Sequence, residues 1–167
     1  MLKILFFSSA SSFFLGLFGV NWDAIDDKIE KEFPEVAAIS SEELQEQLAG
    51  SAGAPLLIDV REKEEFRVSH LQQAFNIQSA DAVSKEFPDK ETPIVVYCSV
   101  GYRSAGVAAE LEKMGYTRVS NLHHSIFEWA ELGLPLLNEE GTTNKIHPYN
   151  RVWGSLVDKD LHAYAPD

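Results

Sequence analysis

Residues 95–105 read Val95-Val96-Tyr97-Cys98-Ser99-Val100-Gly101-Tyr102-Arg103-Ser104-Ala105. The run Ile94-Val95-Val96-Tyr97, introduced by Pro93, is short, apolar and β-branched, which predicts a buried strand. From Arg103 to Met114 the spacing turns helical, with Val107, Leu111 and Met114 expected inward and Gly115 as the stop. Cys98 therefore falls where a strand ends and a short loop containing Gly101 enters a helix. In open α/β sheets, ligands bind outside the carboxyl ends of strands. A tight loop entering a helix can turn successive backbone N–H groups toward one centre and make an anion-binding nest. Those dipoles, the helix N-terminus and the Arg103 guanidinium all favour thiolate over thiol. Such surroundings take a cysteine from ~8.5 down to roughly 3.5–7.5, and the thiolate is the nucleophile. A lone cysteine can instead be a small buried hydrophobe. That reading requires neither the neighbouring glycine nor the cation.

Working outward, Leu56-Leu57-Ile58-Asp59-Val60, Ala74-Phe75-Asn76-Ile77 and Val119-Ser120-Asn121-Leu122 predict further short strands. Helices are expected over residues 22–33, stopped by Pro34, and from the capping box Ser40-Ser41-Glu42-Glu43 through Leu48. Others are expected from Glu62 to about Ser69, over residues 81–87, and after a Ser125 cap through Leu132, with Phe127 and Trp129 as core. Short strands alternating with amphipathic helices indicate an α/β layered domain with a mostly parallel sheet. Residues 138–167 begin polar and then carry Tyr149, Val152, Trp153 and Leu156, which are expected to pack back on the domain. His147 and His162 in that stretch acquire no role.

The chain has 167 residues, length for about one domain, with 14 Lys+Arg against 26 Asp+Glu and a formal net charge of −12. That balance argues against a nucleic-acid partner, since a surface that grips phosphates is basic. Cys98 is the single cysteine, which excludes an intramolecular disulfide framework and a multi-cysteine metal site. Residues 4–20 (ILFFSSASSFFLGLFGV) are uncharged and hold five of the ten phenylalanines. Two readings stay open for them. A basic start followed by an apolar run is a signal-peptide pattern and implies export to a periplasm-type compartment. Phe6, Phe7, Phe13, Phe14, Leu17 and Phe18 also share a helical face, suited to a membrane surface or to docking.

Several separated motifs resemble the rhodanese family of sulfurtransferases. Cys98 to Arg103 is similar to its active-site loop, and Leu57-Ile58-Asp59-Val60-Arg61-Glu62 to its D-V-R-E strand end. Glu65-Phe66, Ser69-His70-Leu71 and Ala74-Phe75-Asn76-Ile77 resemble its E-F…G-H-I-P-G-A-x-N-I stretch, and Gly133-Leu134-Pro135-Leu136 its closing G-x-P-[VL]. Ser69 stands for the usual glycine and Gln72-Gln73 for Pro-Gly, departures that touch a turn away from the thiol. The resemblance implies a three-layer α/β domain with a central five-stranded parallel sheet flanked by helices, over residues 37–137. Residues 1–20, a linking helix in 21–36 and an extension in 138–167 lie outside it.

The implied activity is transfer of sulfane sulfur from a thiosulfate-type anion to cyanide or a thiol, a protein thiol included, through a Cys98 persulfide and without a cofactor. The persulfide charge would be held by the backbone of Ser99, Val100, Gly101, Tyr102, Arg103 and Ser104, with Arg103 also a candidate for the donor anion. Cys98 and Arg103 enclose four residues, one fewer than in the related cysteine phosphatases. No general-acid aspartate is evident near the loop, so sulfur transfer is favoured over phosphate-ester or arsenate chemistry. The same fold could also serve as a sulfur relay to a protein acceptor or as a catalytically idle binding module. Asp59 and Arg61 are read as a salt bridge bracing the floor of the site, and His70 as hydrogen-bonded scaffold. His123-His124 is not expected to hold a metal, because neighbours on a strand face opposite ways and no carboxylate partner has ligand spacing.

Overall fold

A computed structural model describes residues 20–50 and 53–166. The apolar segment 4–20 therefore lies outside the described residues except at Val20. Among the described residues, no helix is long and apolar enough to cross a membrane.

The chain alternates helix and strand: α1 (Trp22–Glu32), β1 (Ala38–Ile39), α2 (Ser41–Ala49), β2 (Leu56–Asp59), α3 (Lys63–Val68), β3 (Phe75–Asn76), α4 (Ala80–Glu86), β4 (Ile94–Tyr97), α5 (Tyr102–Lys113), β5 (Val119–Leu122) and α6 (Ser125–Glu131). A hairpin of β6 (Leu136–Asn138) and β7 (Gly141–Thr143) and two single 3₁₀ turns complete it. The five strands β1–β5 form one parallel sheet in the order β1-β5-β4-β2-β3. β4 is its middle strand and is buried along its whole length, as an apolar, β-branched run bounded by proline predicts. Its side chains alternate between the two faces. Val95 and Tyr97 join Leu57, Leu44, Ile126 and Phe127 on one side; Ile94, Val96 and Cys98 join Ile58, Val83, Ala108 and Leu111 on the other. α2, α6 and the extension cover the first face, and α4 and α5 cover the second.

The capping signals act as the sequence predicts. Ser40 Oγ accepts the Glu43 N–H at 3.1 Å while Glu43 accepts the Ser40 N–H at 2.9 Å. Three local expectations are corrected. Met114 is exposed rather than inward, because α5 turns its Ser104–Ala105–Ala108–Leu111 stripe to the sheet. Ser125 is the first residue of α6 instead of its cap; the cap is His124, in the left-handed region at φ 51°. Tyr149 and Val152 are exposed, and the extension is anchored instead by buried Ile146 and Val157, with Trp153 and Leu156 packed against them.

That extension folds back over the loop that follows β4, where Tyr149, Asn150, Val152 and Trp153 face Cys98 and Arg103. His70 and Leu137 exchange backbone hydrogen bonds at 2.8 and 2.9 Å, and the Ile146 N–H donates to Leu161 O at 2.8 Å. Gly154 marks the tightest approach among the described glycines, since a Cβ there would fall 2.9 Å from Pro148 Cβ.

Candidate active site

Cys98 follows β4 directly and is buried. Its N–H donates to Ser125 Oγ at 3.1 Å, and its carbonyl accepts the Ile126 N–H at 3.2 Å, so α6 pins the end of the strand. The chain then turns through Ser99 and Val100 to Gly101, whose φ of 100° and N-cap position explain the glycine. The turn brings the Gly101 N–H to 3.2 Å from Cys98 Sγ. Asn121 Nδ2 and Ser104 Oγ both donate to the Gly101 carbonyl, at 3.0 and 3.2 Å, and fix the loop from behind. Burial pushes the Cys98 thiol up, but the Arg103 charge, the Ser104 hydroxyl and the Ser104 and Val100 amides outweigh it. The net direction is down from the ordinary thiol value.

Arg103 is engaged differently from what its sequence position suggests. Its Nη1 and Nη2 form a bidentate pair with Glu65 at 2.9 and 2.8 Å, and Nη2 also donates to Ser99 Oγ at 3.0 Å. Ser99 Oγ in turn donates to Glu65 at 3.0 Å. The guanidinium is thus a fixed charge beside the thiol, one-third exposed and lining the cavity above it. Its cause is Glu65, buried at the third position of α3, where an unpaired carboxylate would be costly. Burial raises the Glu65 carboxyl, and Arg103 and Arg61 more than reverse that, holding it below the usual carboxylate range. In the sequence Glu65 figures only as a motif letter. Its local signal is the capping-box pattern with Glu62, which says nothing about a partner 38 residues on.

Asp59 and Arg61 are both fully buried and joined at 2.6 Å through Nη2, which also donates to Ser69 O at 2.7 Å. They brace the turn after β2. His70 lies outside the cavity that reaches Cys98. Its ring stacks on Phe66 with centroids 4.0 Å apart, and Nδ1 lies 3.1 Å from Leu71 O. Tyr102 stands on the rim and donates to Glu32.

A cavity of about 380 Å³ opens above Cys98, Ser99, Val100, Tyr102 and Arg103. Its opposite wall comes from the extension, through Tyr149, Asn150, Val152 and Trp153. Tyr149 sits at φ 61°, a left-handed conformation that costs a bulky residue about 1–2 kcal/mol. The Tyr149 ring lies 5.1 Å from the Arg103 guanidinium. Asn150 Oδ1 accepts the Val152 and Trp153 N–H groups at 2.9 and 3.1 Å and fixes that wall. His147 lies in the same electrostatic neighbourhood; burial lowers it, with Glu65 opposing and Arg61 and Arg103 reinforcing. The sequence predicts that the extension returns to the domain, but not that it reaches this cavity.

His123 and His124 correct a further expectation. β5 ends at Leu122, so the pair lies in a turn and not on a strand, and the two rings stack on one side with centroids 3.7 Å apart.

The rhodanese-like domain family model matches residues 40–132. A sulfurtransferase of Allochromatium vinosum is 35% identical over 108 residues, covering 64% of this chain and 99% of that protein. The thiosulfate sulfurtransferase PspE of Escherichia coli is 37% identical over 67 residues, 38% of this chain and 64% of the other. Among solved structures, a thiosulfate sulfurtransferase of Pseudomonas aeruginosa superposes with a TM-score of 0.60 at 22% identity. That match covers 74% of this chain but only 24% of the larger one, and supports the fold alone. With its parallel sheet, strand-end cysteine loop and these relatives together, the chain belongs to the rhodanese-like domain family of sulfurtransferases.

Proposed function

We propose that the protein moves sulfane sulfur from a thiosulfate-type donor to cyanide or a thiol through a persulfide on Cys98. The observation that carries this reading is a buried thiol held toward thiolate. The Gly101 N–H lies 3.2 Å from its sulfur, and the Arg103 charge is fixed beside it. In the first step the Cys98 thiolate attacks the outer sulfur of the donor. The donor's S–S bond breaks, sulfite leaves with the electron pair, and Cys98-S-S⁻ remains. In the second, the acceptor takes the terminal sulfur and the Cys98 thiolate departs with the bonding pair. No proton is required at either step when cyanide is the acceptor, which agrees with a site whose basic side chains hold charge instead of relaying protons. The loop amides support the negative sulfur as an oxyanion hole supports oxygen. A covalent intermediate makes the kinetics ping-pong.

Thiocyanate formation from thiosulfate and cyanide tests the reading, with Cys98→Ser alongside. The wild type is expected to turn over with parallel double-reciprocal lines and the variant to show only the uncatalysed rate. Equal rates in the two proteins would overturn the assignment.

A further inference from the structure

Among the described residues, one cluster of side chains outside the thiol site has the donor set of a metal site. His123 Nε2 lies 3.3 Å from Asp26 Oδ1, and His124 Nε2 lies 3.1 Å from Asp26 Oδ2. All three ligand atoms fall within 4.8 Å of one another. Zinc bound at about 2.0–2.2 Å by nitrogen and oxygen in tetrahedral geometry separates its donors by about 3.3–3.6 Å. The two histidine–aspartate distances lie close to that spacing. The residues come from two elements that the fold brings together. Asp26 lies on α1, ahead of the matched family residues, and the histidines occupy the turn between β5 and α6.

The surroundings of His124 point to a cation. Its Nδ1 lies 3.1 Å from Glu128 Oε1, while its Nε2 faces Asp26. Both ring nitrogens thus face carboxylate oxygens, which only accept. A neutral imidazole has one N–H and can satisfy one of them. The other nitrogen then aims a lone pair at an oxygen lone pair unless a positive charge stands between them. A second imidazole, His123, is stacked against the first and faces the same carboxylate, so two ring nitrogens and both Asp26 oxygens converge on one spot. A metal ion at Nε2 removes the conflict at His124 and can be shared with His123 and Asp26.

Glu128 then acts as the carboxylate behind a ligating histidine, the usual partner that sets the ring's tautomer and orientation. It is itself held by Ser41 Oγ at 2.8 Å, and Trp22 covers the His124 ring at a centroid distance of 4.1 Å. His123 and Asp26 are 42% and 39% exposed and His124 16%, so an ion has a path in and open positions for water.

We infer that Asp26, His123 and His124 bind one divalent transition cation of the zinc class, clasping α1 to the carboxyl end of β5. Bound there, the ion lies next to Ser125, whose Oγ accepts the Cys98 N–H, but takes no part in sulfur transfer.

The test is calorimetric titration of the untagged, chelator-stripped full-length protein with Zn²⁺ alone. The Cys98→Ser background keeps the thiolate from contributing a ligand. One equivalent is expected to bind and to raise the melting temperature, and Co²⁺ in its place is expected to give the visible absorption of a low-coordinate nitrogen–oxygen site. Asp26→Asn, His123→Gln and His124→Gln should each weaken binding by at least roughly 100-fold, and Glu128→Ala by about 10–100-fold. Circular dichroism and melting in chelator confirm that each variant is folded. No uptake by the Cys98→Ser protein, or uptake unchanged in the three ligand variants, overturns the proposal in favour of a plain histidine–aspartate ion pair or adventitious zinc.

Discussion

The charge beside Cys98 is the Arg103 guanidinium, held in place by Glu65. The thiol is buried, and burial alone would keep it protonated; the Arg103 guanidinium supplies the largest opposing effect. Because the pKa is lowered, the thiolate fraction rises with pH through a midpoint below that of a free cysteine. Alkylation at a given pH should therefore be faster than that of a free cysteine and should fall as the pH is lowered through that midpoint. Replacing Arg103 by Gln removes the charge while leaving a side chain that can still reach Glu65. Iodoacetamide modification at neutral pH is expected to slow by roughly tenfold, with the pH–rate midpoint displaced upward. Stopped-flow or mass-resolved alkylation across pH checks this. An unchanged profile would mean that the loop amides alone hold the thiolate.

At the scale of elements, the unit that matters is β4, its loop and α5. Gly101 has φ of 100°, and the space around it is ordinary, with no atom closer than 3.5 Å to where a Cβ would stand. The conformation, not crowding, demands glycine. Gly101→Ala is thus expected to cost about 1–3 kcal/mol in urea unfolding. It should also slow Cys98 alkylation, because relaxing the turn moves the N–H that lies 3.2 Å from the sulfur. Stability lost with the alkylation rate intact would separate the turn from the chemistry. This unit is legible in the sequence because its signals are local: proline before the strand, glycine at the turn, glycine after the helix. Ser125 shows where local signals mislead. A serine before an apolar helix normally caps it, but here its hydroxyl is taken by the Cys98 N–H and the Leu122 carbonyl, partners set by the sheet.

Over the whole molecule, what the sequence leaves unread is contact between distant segments. Glu65 meets Arg103, Asp26 meets the two histidines, and the extension meets the thiol cavity; each joins residues tens of positions apart, where spacing rules carry no information. The two-residue β1 is similar, since nothing in Ala38-Ile39 announces a strand until Asn121 and Leu122 pair with it. The wall formed by Tyr149, Val152 and Trp153 gives the cavity an apolar side facing the charged loop. In the proposed reaction that wall confines the donor near Cys98. Trp153→Ala should then reduce kcat/KM for thiosulfate by roughly tenfold through misplacement of the donor, while the pH midpoint of Cys98 alkylation stays where it is. A shifted midpoint would show that Trp153 acts on the thiol's environment instead.

Intact-mass measurement after incubation with thiosulfate addresses the persulfide itself. The wild-type protein is expected to gain the mass of one sulfur atom, to lose it on addition of cyanide, and to show no gain when Cys98 is serine. An unmodified wild-type mass, or an adduct that survives cyanide or forms equally without Cys98, would contradict the account.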